Sequence, residues 1–325
     1  MVRFLLTTLA RMILLLFGAS ALCFILVVNA PIDPVDAFVG TESNVSAEYR
    51  AEVAEHWGLT RPALERYFVW LKNVLHGDWG VSMTFRRPVT KILIERFSTS
   101  LVLMMTAWLF SGVLGFAAGT AAGFFKKSLF DRCVKTFCFI CASTPAFWMG
   151  LLLLMVFAVQ LGWFPIALSV PIGKAAGEVT ILERIHHLIL PALTLSITSI
   201  SNITLHTRQK IIDVMESDYV LFAKARGETP WELIGRHGFR NIAIPALTLQ
   251  FASFSELFGG SVLAENVFAY PGLGSAASIA GIRGDAPLLL GIAVFSALFV
   301  FMGNLAANLL YGLFNPEIRE GDGAI

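Results

Sequence analysis

A few side chains in this sequence have the type and spacing to do chemistry inside long apolar runs. Glu256 follows Gln250, Ser253 and Ser255 and precedes Gly259-Gly260 in one such run. A carboxyl group at the centre of a membrane-spanning helix costs about 2.5–3.5 kcal/mol on insertion scales, so it is expected to face a wet interior or a partner. Two readings follow. Glu256, with Gln250 and Ser253, lines a pathway and meets a cation or an amine, or it holds a helix–helix contact. Asn202 and Thr204, with Ser199 and Ser201, form a polar stripe in another run. Such residues line a path or bond to helix backbones. His186 and His187 read as an interfacial pair or a metal contact. Cys138 and Cys141 share a helix face and read as packed thiols, and no metal site is assigned. No HExxH helix and no Ser/His/Asp arrangement supports an enzyme. No GxxxxGK[ST] loop is present, so any ATP hydrolysis would belong to another chain.

The stretch 216–245 is the longest polar interval between apolar runs in the carboxyl-terminal half. It reads as two short helices. Asp218 caps the first, which ends at Gly227, where a residue without Cβ takes the left-handed conformation. Thr229 caps the second, with Pro230 at its first position and Glu232 closing a capping box. Ala223, Ala225 and Gly227 are small enough for close approach to a partner's groove, and Phe222 is an apolar anchor. Tyr219 stands beside them. Arg226, Arg236 and Arg240 would steer the partner or stabilise helix ends. A solvated amphipathic loop is the plain alternative. A DNA-reading helix pair is disfavoured by its place between apolar runs.

The elements that must position these residues are membrane spans. The chain of 325 residues is 56% apolar and 14% charged, against about 45–50% and 25% in soluble domains. A formal net charge of +1 offers no surface for nucleic acid. The fold expected is all-α, with six spans near 8–30, 98–123, 134–161, 188–207, 243–265 and 286–313. Lys126, Lys127, Arg132 and Lys135 follow the second span, and Arg208, Lys210, Lys224, Arg226, Arg236 and Arg240 follow the fourth. The positive-inside rule then puts the 216–245 stretch and both termini in the cytoplasm. The first span is expected to be a retained anchor, because Pro31 follows the only signal-like site, Val28-Asn29-Ala30. The outer loop from Pro31 to about Phe97 is expected to hold amphipathic helices at 45–57 and 62–75, the second with Leu64, Phe68, Leu71 and Leu75 on one face. A turn at 76–80 and a short helix from Arg87-Pro88-Val89 follow. This loop reads as a cap on the membrane domain, a docking surface for an outside partner, or both. The expected division is 1–97, anchor and loop; 98–315, a five-span core holding a coupling loop at 208–245; and 316–325, a tail.

Three groups of motifs occur in order. The outer loop has Gly58-Leu59-Thr60-Arg61-Pro62, Trp70-Leu71, Gly77-Asp78-Trp79-Gly80-Val81-Ser82 and Arg87-Pro88-Val89. The polar interval has Asp218-Tyr219-Val220, Ala223-Lys224-Ala225-Arg226-Gly227, Arg236-His237, Arg240-Asn241 and Pro245. After the fifth expected span come Glu265-Asn266-Val267-Phe268 and Tyr270-Pro271-Gly272-Leu273-Gly274. Together they resemble permease subunits of ATP-binding-cassette importers of the dipeptide, oligopeptide and nickel group. The chain departs from the general permease signature at Leu221 and Phe222, where it would read Glu-Ala, and at Glu228, where an apolar residue is common. The resemblance implies a bacterial inner-membrane permease that takes up small peptides, nickel or a metal chelate. It implies a second, related permease subunit, two ATPase subunits that bind ATP and magnesium, and an extracytoplasmic solute-binding protein. Gly77, Asp78, Glu265, Asn266, Tyr270, Pro271 and Gly272 would then form an outer gate or binding-protein contact. The rival is an ion-coupled secondary transporter or channel working without an ATPase, with Glu256 as its coupling group.

Overall fold

A computed structural model describes residues 2–31, 33–39, 46–174, 177–229, 232 and 239–314. Among them there is no strand, only an isolated bridge between Val81 and Pro88. The chain forms two compact units, Met1–Ser100 with Pro271–Met302, and Leu101–Tyr270 with Gly303–Ile325. The return of 271–302 to the amino-terminal unit leaves no mark in linear composition.

The first unit holds α1 (Val2–Val28), α2 (Pro34–Val39), α3 (Ala47–His56), α4 (Ala63–Leu75) and α12 (Leu273–Arg283). Helix α5 (Val89–Phe124) begins there, and α13 (Ala286–Phe314) starts there. The Arg87-Pro88-Val89 segment does not make a separate short helix. It opens α5 directly, whose 36 residues extend about 54 Å at 1.5 Å per residue. Pro88 ends the turn without needing an N–H, and nothing after Val89 breaks the helical run. Helices at 45–57 and 62–75 form as expected, with Ser46 capping α3 through Tyr49 N–H. The apolar face of α4 is not what packs, however. Tyr67 is buried, while Leu64, Phe68 and Leu75 are exposed.

The second unit holds α6 (Leu129–Ser143), α7 (Ala146–Leu153, continuing as a π-helical turn Leu154–Gln160), α8 (Ile181–Met215), α9 (Asp218–Ala225), α10 (Phe239–Ala252) and α11 (Phe254–Val267). The structure does not confirm the count of six spans among the described residues. Among the described residues, four helical segments are continuous, long and apolar enough to cross a bilayer: Leu9–Val28, Val89–Phe124, Ile181–Met215 and Ala286–Ala306. The expected span at 134–161 is a pair bent by 112° between Ser143 and Ala146. Thr144 precedes Pro145 and is extended, at φ −98° and ψ 131°, because the proline ring excludes the helical conformation of the residue before it. The expected span at 243–265 is two helices meeting at Ser253. Hydrogen bonds from Ser253 N–H to the Leu249 carbonyl and from Leu257 N–H to the Ser253 carbonyl continue across the junction.

Close approach sets the spacing of α5 and α8. A Cβ at Gly119 would stand 2.5 Å from the Thr204 carbonyl and 2.7 Å from Thr207 Cβ, and one at Gly123 2.7 Å from Ile211 Cβ. Lipid gives helices no hydrophobic reason to associate, so small residues that admit a neighbouring backbone are what lets them pack.

Candidate coupling site and translocation path

Helix α9 sits between two long helices and is held by its own chain. Val220 and Ala223 are buried with Ile211 and Val214 of α8 and Ile242 of α10, and Phe116 packs against the same cluster. Ala223 therefore faces inward and is not free for a partner's groove. The opposite side carries Phe222, 76% exposed, with Tyr219 and Leu221 also exposed, and Ala225 lies open beside them. The cap differs from the expected one by a residue. Ser217 occupies the N-cap position with no side-chain capping bond, its hydroxyl donating to the Val214 carbonyl, and Asp218 opens the helix. The negative charge there still favours the helix's positive end. The helix ends as expected, with Gly227 at φ +89°. Arg226 pairs with Glu228 at 2.8 Å, so a departure from the usual pattern after Gly227 has a local partner. Thr229 and Glu232 make the expected capping box, the carboxylate accepting from Thr229 N–H at 2.8 Å. Arg236 lies outside the described residues. Arg240 falls within α10, and its side chain lies outside them.

Behind α9 an ion pair ties two helices together. Arg208 of α8 donates from Nε and Nη2 to both carboxylate oxygens of Asp131 in α6, at 2.5 and 2.8 Å. Asp131 is 1% exposed. It also accepts from Lys127 N–H and is reached by the Ser128 cap. Lys126 pairs with Glu216 at the start of the same polar interval. In the sequence Arg208 signals orientation alone, and Asp131 does not stand out. The cue was Ser128-x-x-Asp131, a capping pattern at a helix start.

The expected pathway residues separate in space. Gln250 is 4% exposed and clasps α5: its Nε2 donates to the Trp108 carbonyl and Ser111 Oγ, while Trp108 Nε1 donates to the Gln250 carbonyl. Gly112 makes room, since a Cβ there would stand 3.1 Å from the Gln250 amide carbon. This is the geometry of a packing residue. Gln250 also edges an open groove of about 570 Å³ lined by Trp108, Phe116, Ile203 and Ala246. Ser253 donates to the Gln250 carbonyl at the α10–α11 junction. Glu256 is exposed in the first turn of α11. It lies on the turn that follows the junction at Ser253, across which the helical hydrogen bonds continue. Asn202 is exposed, whereas Ser199, Ser201 and Thr204 are buried. Thr204 donates to the Gly115 carbonyl and Ser201 to Ile197.

The remaining candidates form turns. Gly77 is at φ +87° and Gly80 at +80°, and Asp78 accepts from Gly80 N–H. Asp285, unremarked in the sequence, is fully buried and holds this region. It accepts from Ser82 Oγ at 2.5 Å and Thr84 N–H at 2.9 Å, and from Leu288 N–H at the start of α13. Glu265 is buried and Asn266 exposed at the end of α11. Tyr270 N–H donates to the Glu265 carbonyl. Burial and then the Glu265 carboxylate push the Tyr270 phenol up to about 12, so it stays neutral. Pro271 leads to Gly272, the N-cap position of α12, where Leu273 N–H donates to Ser100. His186 and His187 face the carbonyls of Trp163 and Leu168 at 2.7 and 3.1 Å. Carbonyls only accept, so each facing ring nitrogen carries its proton. The pair anchors the 161–171 segment. Cys138 and Cys141 are buried thiols, and no cluster of three metal-binding side chains occurs among the described residues.

Several apolar helices long enough to cross a bilayer, with a capped polar interval between two of them, define a multi-pass helical membrane protein. The chain belongs to the family described as binding-protein-dependent transport system inner membrane component, which matches residues 112–320. The amino-terminal component of the same systems matches residues 1–104. It is a permease subunit of the ATP-binding-cassette importer class, of the dipeptide, oligopeptide and nickel group, and not an enzyme. Over 306 residues the chain is 32% identical to the oligopeptide transport system permease protein AppB of Bacillus subtilis, covering 94% of this chain and 95% of that one. It is 34% identical over 335 residues to the di/tripeptide transport system permease protein DppB of Pseudomonas aeruginosa, covering 98% and 99%. It is 33% identical over 320 residues to the glutathione transport system permease protein GsiC of Escherichia coli, covering 98% and 99%.

Proposed function

We propose that this chain is the translocation subunit for a small peptide or peptide-like solute, driven through α9 by separate ATPase subunits. The observation that carries the drive is Phe222, a large apolar side chain left 76% exposed on a helix whose other face is locked to α8 and α10. Pushing on α9 must move those helices with it, because Val220 and Ala223 share one buried cluster with Ile211 and Ile242. The permease carries no chemistry. ATP binding by the docked subunits favours one arrangement of the spans, and that difference in binding free energy shifts their populations. Peptide-type solutes are favoured over nickel or a metal chelate by the names of the relatives and by the absence of a metal-binding cluster among the described residues. The positive loops support a cytoplasmic position for α9 and both termini. A second permease subunit would complete the path, and a binding protein would deliver solute to the opposite face, where the turn at Gly77-Asp78 and the segment Glu265–Gly272 are the contact we assign.

Phe222→Asp tests the reading. The side chain is exposed, so insertion and folding should be unchanged, while ATPase co-purification and ATP-dependent peptide uptake are lost. Normal assembly and uptake in that variant would overturn it. Uptake by the wild-type chain alone, in liposomes with a proton gradient and no ATPase, would favour the ion-coupled rival.

A further inference from the structure

Helix α4 carries Leu64, Phe68, Leu71 and Leu75 as one stripe, since residues three and four apart share a helix face. A helix packed in a water-filled loop would turn that stripe inward. Here it points out, with Leu64 74%, Phe68 57% and Leu75 79% exposed and Leu71 half-buried. The face that packs is the adjoining one, through Tyr67. Its hydroxyl lies 2.8 Å from Ser20 Oγ, and its ring centroid is 5.2 Å from that of Phe24 and 6.1 Å from that of Phe17.

All three of those partners lie on α1, inside the span Leu9–Val28. Ser20 is eight residues before Val28, the end of that span, so the contact sits about 12 Å along the axis from the span's end. In a hydrocarbon core about 30 Å thick, that depth is well inside one leaflet. The two hydroxyls satisfy each other there, as polar groups away from water must. Helix α1 beside them exposes Leu14, Leu15, Leu22 and Leu26, and the apolar surface of a span faces acyl chains. The stripe of α4 is therefore carried by a helix pinned at bilayer depth, next to a surface that lipid already covers. Glu65, Lys72 and Asn73 are exposed around the rest of α4, and Lys72 has a stem long enough to reach headgroups from the edge of the stripe.

We propose that α4 is an interfacial helix, with its Leu64, Phe68, Leu71 and Leu75 stripe seated in the acyl chains of the leaflet that holds the carboxyl-terminal half of α1. The expected extracytoplasmic loop is then partly a membrane element, and it presents its polar side, not this stripe, to any soluble partner.

The test places the photoreactive residue p-benzoylphenylalanine singly at Leu64, Phe68 or Leu75, and at Asn73 on the polar side. The full-length chain stays in its native membrane with its partners, and Leu22 of α1 serves as the lipid-facing reference. After irradiation, mass spectrometry should find phospholipid adducts at Leu22 and at the three stripe positions, with the adduct lost at Asn73. Adducts between the stripe and a protein, whether a binding protein or a second permease copy, would overturn the proposal. So would the absence of any lipid adduct along the stripe while Leu22 gives one.

Discussion

Gly119→Ala and Gly259→Ala make the same chemical change in two helices, and the structure predicts opposite signs. In a helix interior, alanine is favoured over glycine by about 0.8–1.0 kcal/mol. Gly259 of α11 has nothing within 4 Å of its notional Cβ, so the variant should collect that gain. At Gly119 the new carbon would stand 2.5 Å from the Thr204 carbonyl and 2.7 Å from Thr207 Cβ. A backbone oxygen cannot swing aside, so α5 and α8 must separate. Overpacking of this kind costs about 1–3 kcal/mol, and the rigid neighbour argues for the upper end. The net effect is a loss of about 2 kcal/mol at Gly119 against a gain of about 1 at Gly259. That gap of about 3 kcal/mol is on the order of a hundredfold in the unfolding equilibrium. The assay is reversible unfolding of each purified full-length variant in mixed micelles of fixed composition. A Gly119→Ala chain as stable as Gly259→Ala would refute the close approach of α5 and α8, and with it the placement of Gln250 and Arg208.

The Asp131–Arg208 pair is mostly shielded, so Asp131→Ala or Arg208→Ala should each cost about 3–5 kcal/mol by stranding the other charge. The double variant should lose less than the sum by about 0.5–3 kcal/mol. Strict additivity in the same unfolding assay would show that the two do not act as a pair. Asp285→Asn puts an amide where one oxygen now receives donors from Ser82 and Thr84. It should cost about 1–3 kcal/mol and speed proteolysis of the 77–88 turn, and unchanged cleavage there would count against Asp285 as its anchor.

Much of the candidate coupling site was legible in the sequence because its signals are local. Gly227 in the left-handed conformation and the Thr229–Glu232 capping box depend on residues within three or four positions of one another. The side of α9 that Ala223 faces was not legible. Small residues suit a partner's groove and a chain's own core equally well, and only the packing of α8 and α10 decides between them. The packing of Gln250 was not legible for a related reason. A polar residue in an apolar run satisfies its hydrogen bonds either with water in a path or across a helix pair, and its partner, the Trp108 carbonyl, lies 142 residues away. Asp285 gave no signal, because a lone acid before an apolar run is the mark of any capped helix.

By itself the sequence determined the class. An apolar content of 56% and runs of about twenty apolar residues leave a bundle of membrane helices as the arrangement that satisfies the backbone in lipid. The motifs in order determined the permease family. Tertiary structure decided how the spans are built: the 112° turn at Thr144-Pro145, the junction at Ser253, and the joining of 271–302 to the amino-terminal unit. It also decided which face of α4 packs. Periodicity reports that a stripe exists, but water and lipid reward opposite orientations of the same stripe, and only the contact between Tyr67 and Ser20 separates them.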